Sequence, residues 1–186
     1  TALSAANVNM DIPGIGGIKI NAKSGGTGID IVDDMMPTAW EETTGTGLGT
    51  GIVGVAGAGG GVNIGWSVSG DMLPEGLSVD LAWQPDGGAT ATPDKGVGGT
   101  SAGQGSIFDV VVRHSGLTDG LNVWAGMSSQ EQVTGLADNG YDGDKTQYAL
   151  GATYAFGGFT FGYQETKDNH STKGQTGATS YYDNNA

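Results

Sequence analysis

The feature that most constrains this chain is a period-two alternation of apolar and small polar side chains, repeated through eight segments. Val62, Ile64, Trp66 and Val68 take one strand face while Asn63, Gly65, Ser67 and Ser69 take the other. Leu77, Val79, Leu81 and Trp83 alternate in the same way with Ser78, Asp80, Ala82 and Gln84. The pattern returns in Ile107 to His114, with Phe108, Val110 and Val112 on one face, and in Leu121 to Ser129, with Leu121, Val123, Ala125 and Met127. Val111 and Trp124 interrupt the polar side of these two segments. Tyr148, Leu150, Ala152, Tyr154 and Phe156, then Phe159, Phe161 and Tyr163, flank a Gly157-Gly158 turn. Upstream, Val8, Met10 and Ile12, then Ile18, Ile20 and Ala22, make a first hairpin around Pro13-Gly14. The tail from Thr179 to Ala186 reads as the start of a ninth strand.

The polar faces decide where such strands can live. With 37 glycines and no cysteine, the chain has too little apolar volume for an ordinary soluble core, and a disulfide scaffold or thiolate metal site is excluded. A barrel wall needs apolar side chains on one face only, which accommodates this composition. Seven basic residues against 20 acidic ones give a net charge of -13, so no surface could neutralise nucleic-acid phosphates. No run of about 18 apolar residues exists, which excludes a transmembrane helix, and no secretion signal heads the sequence.

The connections sharpen the reading. Pro13 to Gly16, Gly70 to Gly76, Ser115 to Gly120 and Gly157-Gly158 are short; Ser24 to Gly60, Pro85 to Gly105, Gln130 to Asp144 and Asp168 to Ala178 are long, and the two kinds alternate. Membrane barrels have tight turns at one end and long loops at the other. Tyr154, Phe156, Phe159 and Phe161 beside one short turn suit an aromatic girdle at the membrane interface. The expected fold is therefore all-β, an antiparallel transmembrane β-barrel of which this chain supplies about eight strands. The competing reading is a soluble or surface-exposed β-rich adhesin or structural protein, built as a sandwich. Its outer faces would favour Lys, Glu and Thr, where these strands carry Gly, Ser and Ala.

The stretch Gly28-Ile29-Asp30-Ile31-Val32-Asp33-Asp34-Met35-Met36-Pro37-Thr38-Ala39-Trp40-Glu41-Glu42 resembles the constriction loop of the general porins of Gram-negative bacteria. Leu73 to Gln84 and Phe108 to Gly126 are similar to the wall strands of that family, most closely its proteobacterial members. The resemblance implies a water-filled barrel of about sixteen strands, usually a homotrimer, in the bacterial outer membrane against lipid and lipopolysaccharide. On that reading residues 1–186 are one internal part of a barrel, strands being absent at both ends, with a loop at about 24–60 folded inward. The resemblance implies passive diffusion of small hydrophilic solutes and ions. It places Asp30, Asp33, Asp34, Glu41 and Glu42 at the narrowest point, which favours cations weakly, with Lys19 and Lys23 as opposing wall charges. Trp40 and Trp124 are candidates for stacking against a solute.

Other motifs are weaker. Gly25 to Asp33 fits a calcium-binding β-roll nonapeptide, yet a single copy cannot complete the coordination shell. Asp30, Asp33 and Asp34 stay as calcium candidates, and Asp138, Asp142 and Asp144 form a similar acidic group; no other cofactor is expected. Gly49 to Gly54 has dinucleotide-fingerprint spacing, but the glycine-rich sequence after it cannot form the helix that holds a pyrophosphate. His114 and His170, the two histidines, have no nucleophile motif nearby, so the chain is not expected to be an enzyme.

Overall fold

All eight alternating segments are strands in the computed structural model, which describes residues 6–22, 25–33, 35–37, 55–85, 104–132, 143–169 and 181–185. The strands are β1 (Ala6–Ile12), β2 (Gly16–Ala22), β3 (Val62–Val68), β4 (Leu77–Gln84), β5 (Gln104–Ser115), β6 (Leu121–Gln132), β7 (Lys145–Phe156) and β8 (Phe159–Asn169). A ninth strand, β9 (Tyr181–Asn185), follows from the tail. They form one antiparallel sheet in sequence order from β1 to β9. Short connections close one end of the sheet, as with the two-residue turn at Gly157 and Gly158, and the long segments leave from the other end.

The strands run further toward the long connections than their apolar alternation does. β6 continues through Gln130, Glu131 and Gln132, and β5 begins at Gln104, with a register shift between Gln104 and Ile107. Polar residues there keep the backbone ladder but bring no greasy face with them.

Register aligns the apolar residues into continuous rows. Ile20 opposes Ile64, Ile64 opposes Trp83, and Trp83 opposes Phe108. Leu81, Val110 and Met127 make a second row, and Val79, Val112, Ala125 and Leu150 a third. Such cross-strand pairs fix the register, because a slip of one residue would turn every apolar side chain to the opposite face.

Burial is inverted relative to a soluble sheet. Val62, Ile64, Trp83, Phe108, Met127 and Leu150 are exposed, while Asn21, Asn63, Asp109, Gln147, Gln164 and Thr166 are buried. The aromatic group at the short turn is the extreme case, with Phe156 and Phe159 both 69% exposed. Tyr154 and Phe156 stack there with ring centroids 6.5 Å apart. A continuous apolar surface of this breadth costs free energy in water and marks a face that meets another apolar phase.

What covers the polar face is the segment between β2 and β3. Two 3-10 turns, Gly28–Val32 and Gly57–Gly60, lie on it across β3 to β7. Ile29, Val32 and Val55 from this segment pack with Val111, Trp124 and Ala149 of the wall into one buried cluster, with Met35 and Met36 at its margin. The two wall residues that interrupt the polar alternation, Val111 and Trp124, are thus the apolar floor on which the segment rests.

Candidate solute pathway

The polar face is organised in rows set by the register. Nearest the long connections lie Gln84, Ile107, Gln130 and Lys145, each opposite the next across β4 to β7. Below them come Ala82, Asp109, Ser128, Gln147 and Asp168, then Asp80, Val111, Gly126, Ala149 and Thr166, then Ser78, Arg113, Trp124, Gly151 and Gln164.

Asp109 is the anchor. It is fully buried, and its Oδ2 accepts hydrogen bonds of 2.9 Å from the backbone N–H groups of both Ile29 and Ala58. One carboxylate oxygen thus ties the two 3-10 turns to the same point of the wall. Such charge-assisted bonds are about twice as strong as neutral ones. Gly28 and Gly57 make the approach possible: both have positive φ, and a Cβ on either would run into the Asp109 carboxylate.

Amides complete the attachment. Gln147 Oε1 accepts from Gly57 N at 2.9 Å, and Gln164 Oε1 from Met35 N at 3.1 Å. Gln164 Nε2 donates to the carbonyl oxygens of Val32 and Asp33. Thr27 Oγ1 donates to Asn63 Oδ1 at 2.7 Å, and Asn21 Nδ2 to the Gly25 carbonyl at 2.9 Å. An irregular segment laid on a wall must have its backbone groups satisfied by that wall, and the buried Asn, Gln and Asp residues do this. Glycine makes the room: a Cβ on Gly126 would stand 2.9 Å from Ile29 Cγ1 and 3.1 Å from Val32 Cγ2. Gly126→Val is expected to lower the unfolding free energy by an overpacking cost of about 1–3 kcal/mol, read from denaturant titration in detergent.

The residues singled out from the sequence fall in three groups. Asp30 is half-buried and accepts from Gly26 N, and Asp33 is half-buried beside the Gln164 contact. Lys19 reaches the start of the segment, with Nζ donating to the carbonyls of Gly25 at 3.3 Å and Gly26 at 3.4 Å. Trp124 is 5% exposed and packs against the docked segment, and it also lines a cavity on the polar face with Met35, Arg113 and Asn122. Lys23, Asp34, Trp40, Glu41 and Glu42 lie outside the described residues, as do Asp138, Asp142 and His170. Among the described residues, no three acidic or histidine side chains converge as a metal site would need.

Two wall cations are already neutralised. Arg113 Nη2 lies 2.8 Å from Asp80 Oδ2, near the short turns, and Lys145 Nζ lies 3.2 Å from Asp168 Oδ2 near the long connections. Sequence reading passed over Asp109, Gln147 and Gln164. A carboxylate in mid-strand, two residues from the anomalous Val111 and on the same face, marked the first of them as unusual without showing what it binds.

The family profile described as Gram-negative porin matches residues 7–184, and the chain belongs to that family. No curated protein and no solved structure matches the chain. Membership implies an outer-membrane location and dealings with small solutes, and it decides against the soluble adhesin reading. The exposed apolar rows are accordingly the lipid-facing side of a barrel wall. In hydrocarbon every backbone N–H and C=O must be paired, and the ladder from β1 to β9 does this between neighbouring strands, leaving the outer edges of β1 and β9 open.

Proposed function

We propose that this porin forms a water-filled channel through which small hydrophilic solutes and ions diffuse passively, with a weak preference for cations, and that it carries out no enzymatic step. The observation that supports this best is the inverted sheet: apolar rows outward, and a polar face on which the β2 to β3 segment is tied down by Asp109. A segment so attached narrows the lumen without closing it, and a passive sieve needs no moving part.

Charge supports the cation preference. The segment carries Asp30, Asp33, Asp34, Glu41 and Glu42, whereas Arg113 and Lys145 are paired with wall acids and offset them little. Lys19 and Lys23 on the feeding strand moderate the effect. The edges of the sheet, β1 and β9, must pair with further strands to complete a ring in lipid. Homotrimer assembly, and contact of the outward face with lipid and lipopolysaccharide, follow from the resemblance to general porins.

The test is electrical. In planar bilayers the protein is expected to give ohmic currents that rise with salt, and under a potassium chloride gradient a reversal potential of the sign set by cations. Asp30→Asn combined with Asp33→Asn should move that potential partway toward zero, since three loop acids remain. A firm anion preference in the unaltered protein would overturn the selectivity reading, and no conductance at all would overturn the channel.

A further inference from the structure

Beside the second 3-10 turn (Gly57–Gly60), on the side of the long connections, the polar face holds a cavity of about 300 Å³. The strands contribute Gln84, Ile107, Ser128, Gln130, Lys145 and Gln147 to its lining, and the turn closes one side with Gly57 and Gly60. Four of those six side chains are the top row of the wall, and the other two belong to the row that carries Asp109. A solute arriving from the long-loop end would meet this cavity level with, or before, the docked turns.

The lining is neutral and rich in hydrogen-bonding groups. Three amides and one hydroxyl line it, and the single ammonium, that of Lys145, is 3.2 Å from the Asp168 carboxylate. An amide has two N–H donors and a carbonyl acceptor, so Gln84 and Gln130, which each already have a partner, keep capacity for a second. Gln147 spends its oxygen on Gly57 N, which leaves its N–H pair for another partner. An anion would find only a cation that is already neutralised, and a cation would find no carboxylate in the lining. Ile107 and the glycines give a small apolar surface among the polar groups, suited to C–H rather than to a second layer of hydroxyls. The volume is at the lower end of known ligand sites, enough for one small molecule.

We infer that this cavity is a binding subsite for a neutral polyhydroxylated solute of about monosaccharide size, held by Gln84, Ser128, Gln130 and Gln147. The inference deepens the channel reading and rests on it for the route by which the solute arrives. A molecule with several hydroxyls on a C–H frame matches alternating amide, hydroxyl and aliphatic groups, and its exchange with water costs little because the site never has to strip a charge. Weak binding is what such a site should give, since a channel must release what it holds.

Glucose is the probe, with saturation-transfer NMR on the detergent-solubilised protein as the measurement. Saturable binding is expected, weakened about tenfold by Gln130→Leu and similarly by Gln84→Leu, the loss that accompanies one hydrogen bond of typical strength. Fully O-methylated glucose keeps the ring but loses every donor, and it should bind at least about tenfold more weakly to the unaltered protein. That comparison decides the matter even if a glutamine variant fails to fold. Absence of saturable transfer with glucose, or equal affinity for the methylated sugar, overturns the subsite. Bilayer currents measured in parallel separate the two readings: conductance without glucose binding removes the subsite and keeps the channel, and binding without conductance does the reverse.

Discussion

Single-channel currents of the Asp109→Ala variant are expected to be larger on average and much noisier than those of the unaltered protein. The reason is the geometry of one oxygen atom, which accepts from Ile29 N and Ala58 N at 2.9 Å each. Its removal leaves two buried backbone donors without partners, at about 1–3 kcal/mol for each. The remaining ties through Gln147, Gln164 and Asn63 and the apolar cluster around Ile29 and Val32 still favour docking, so the segment should fluctuate between attached and detached states. Attached and detached states differ in lumen width, which turns that equilibrium into current noise. Asp109→Asn keeps an oxygen acceptor while losing the charge, so it should fall between the two, with bonds roughly half as strong. Current traces for Asp109→Ala that cannot be told from the unaltered protein would show that the carboxylate does not set the lumen. A barrel that unfolds sooner but conducts as before would show the same.

The strands were legible because alternation is a local property. Val62 to Ser69 or Tyr148 to Phe156 declares its two faces without reference to any other part of the chain, and the loop-length asymmetry then orders the strands. Strand ends at the long-connection side were less legible. Ser129, Gln130 and Gln132 extend the ladder to Gln104 past an irregularity at Gly105 and Ser106, and with no apolar residue on either face nothing in their pattern distinguishes strand from loop. In the β2 to β3 segment, the acids drew attention as chemistry, while the residues that fix its position were Ile29 and Val32. Their partners Val111 and Trp124 stood out in the sequence as breaks in the polar side, and the buried cluster is the physical cause of those breaks. The role of Asp109 was beyond reach for a different reason. Its partners lie 80 and 51 positions away, and both are backbone groups, which carry no side-chain signature.

The largest loss of stability from a single change on the outward face is expected for Val110→Arg. Val110 sits in the middle of β5, with Leu81 opposite on one side and Met127 on the other, and Phe108 and Val112 continue the apolar face above and below it. That places it at the centre of the band, where arginine costs about 2–4 kcal/mol in an outer-membrane barrel because the guanidinium must be desolvated or must reach toward the interface. The flanking rows make escape difficult: along β5, two residues in either direction, the side chain still meets Phe108 and Val112 before polar groups begin at Ser106 and His114. The control lies on the other face. Asn122 is exposed on the polar side of β6, near the short turn, and arginine there should change stability by no more than about 0.5 kcal/mol. Denaturant titrations in lipid vesicles, followed by tryptophan fluorescence, compare the two directly. If both substitutions cost the same, the two faces of the sheet do not meet different solvents, and the assignment of hydrocarbon to one and water to the other fails at its root.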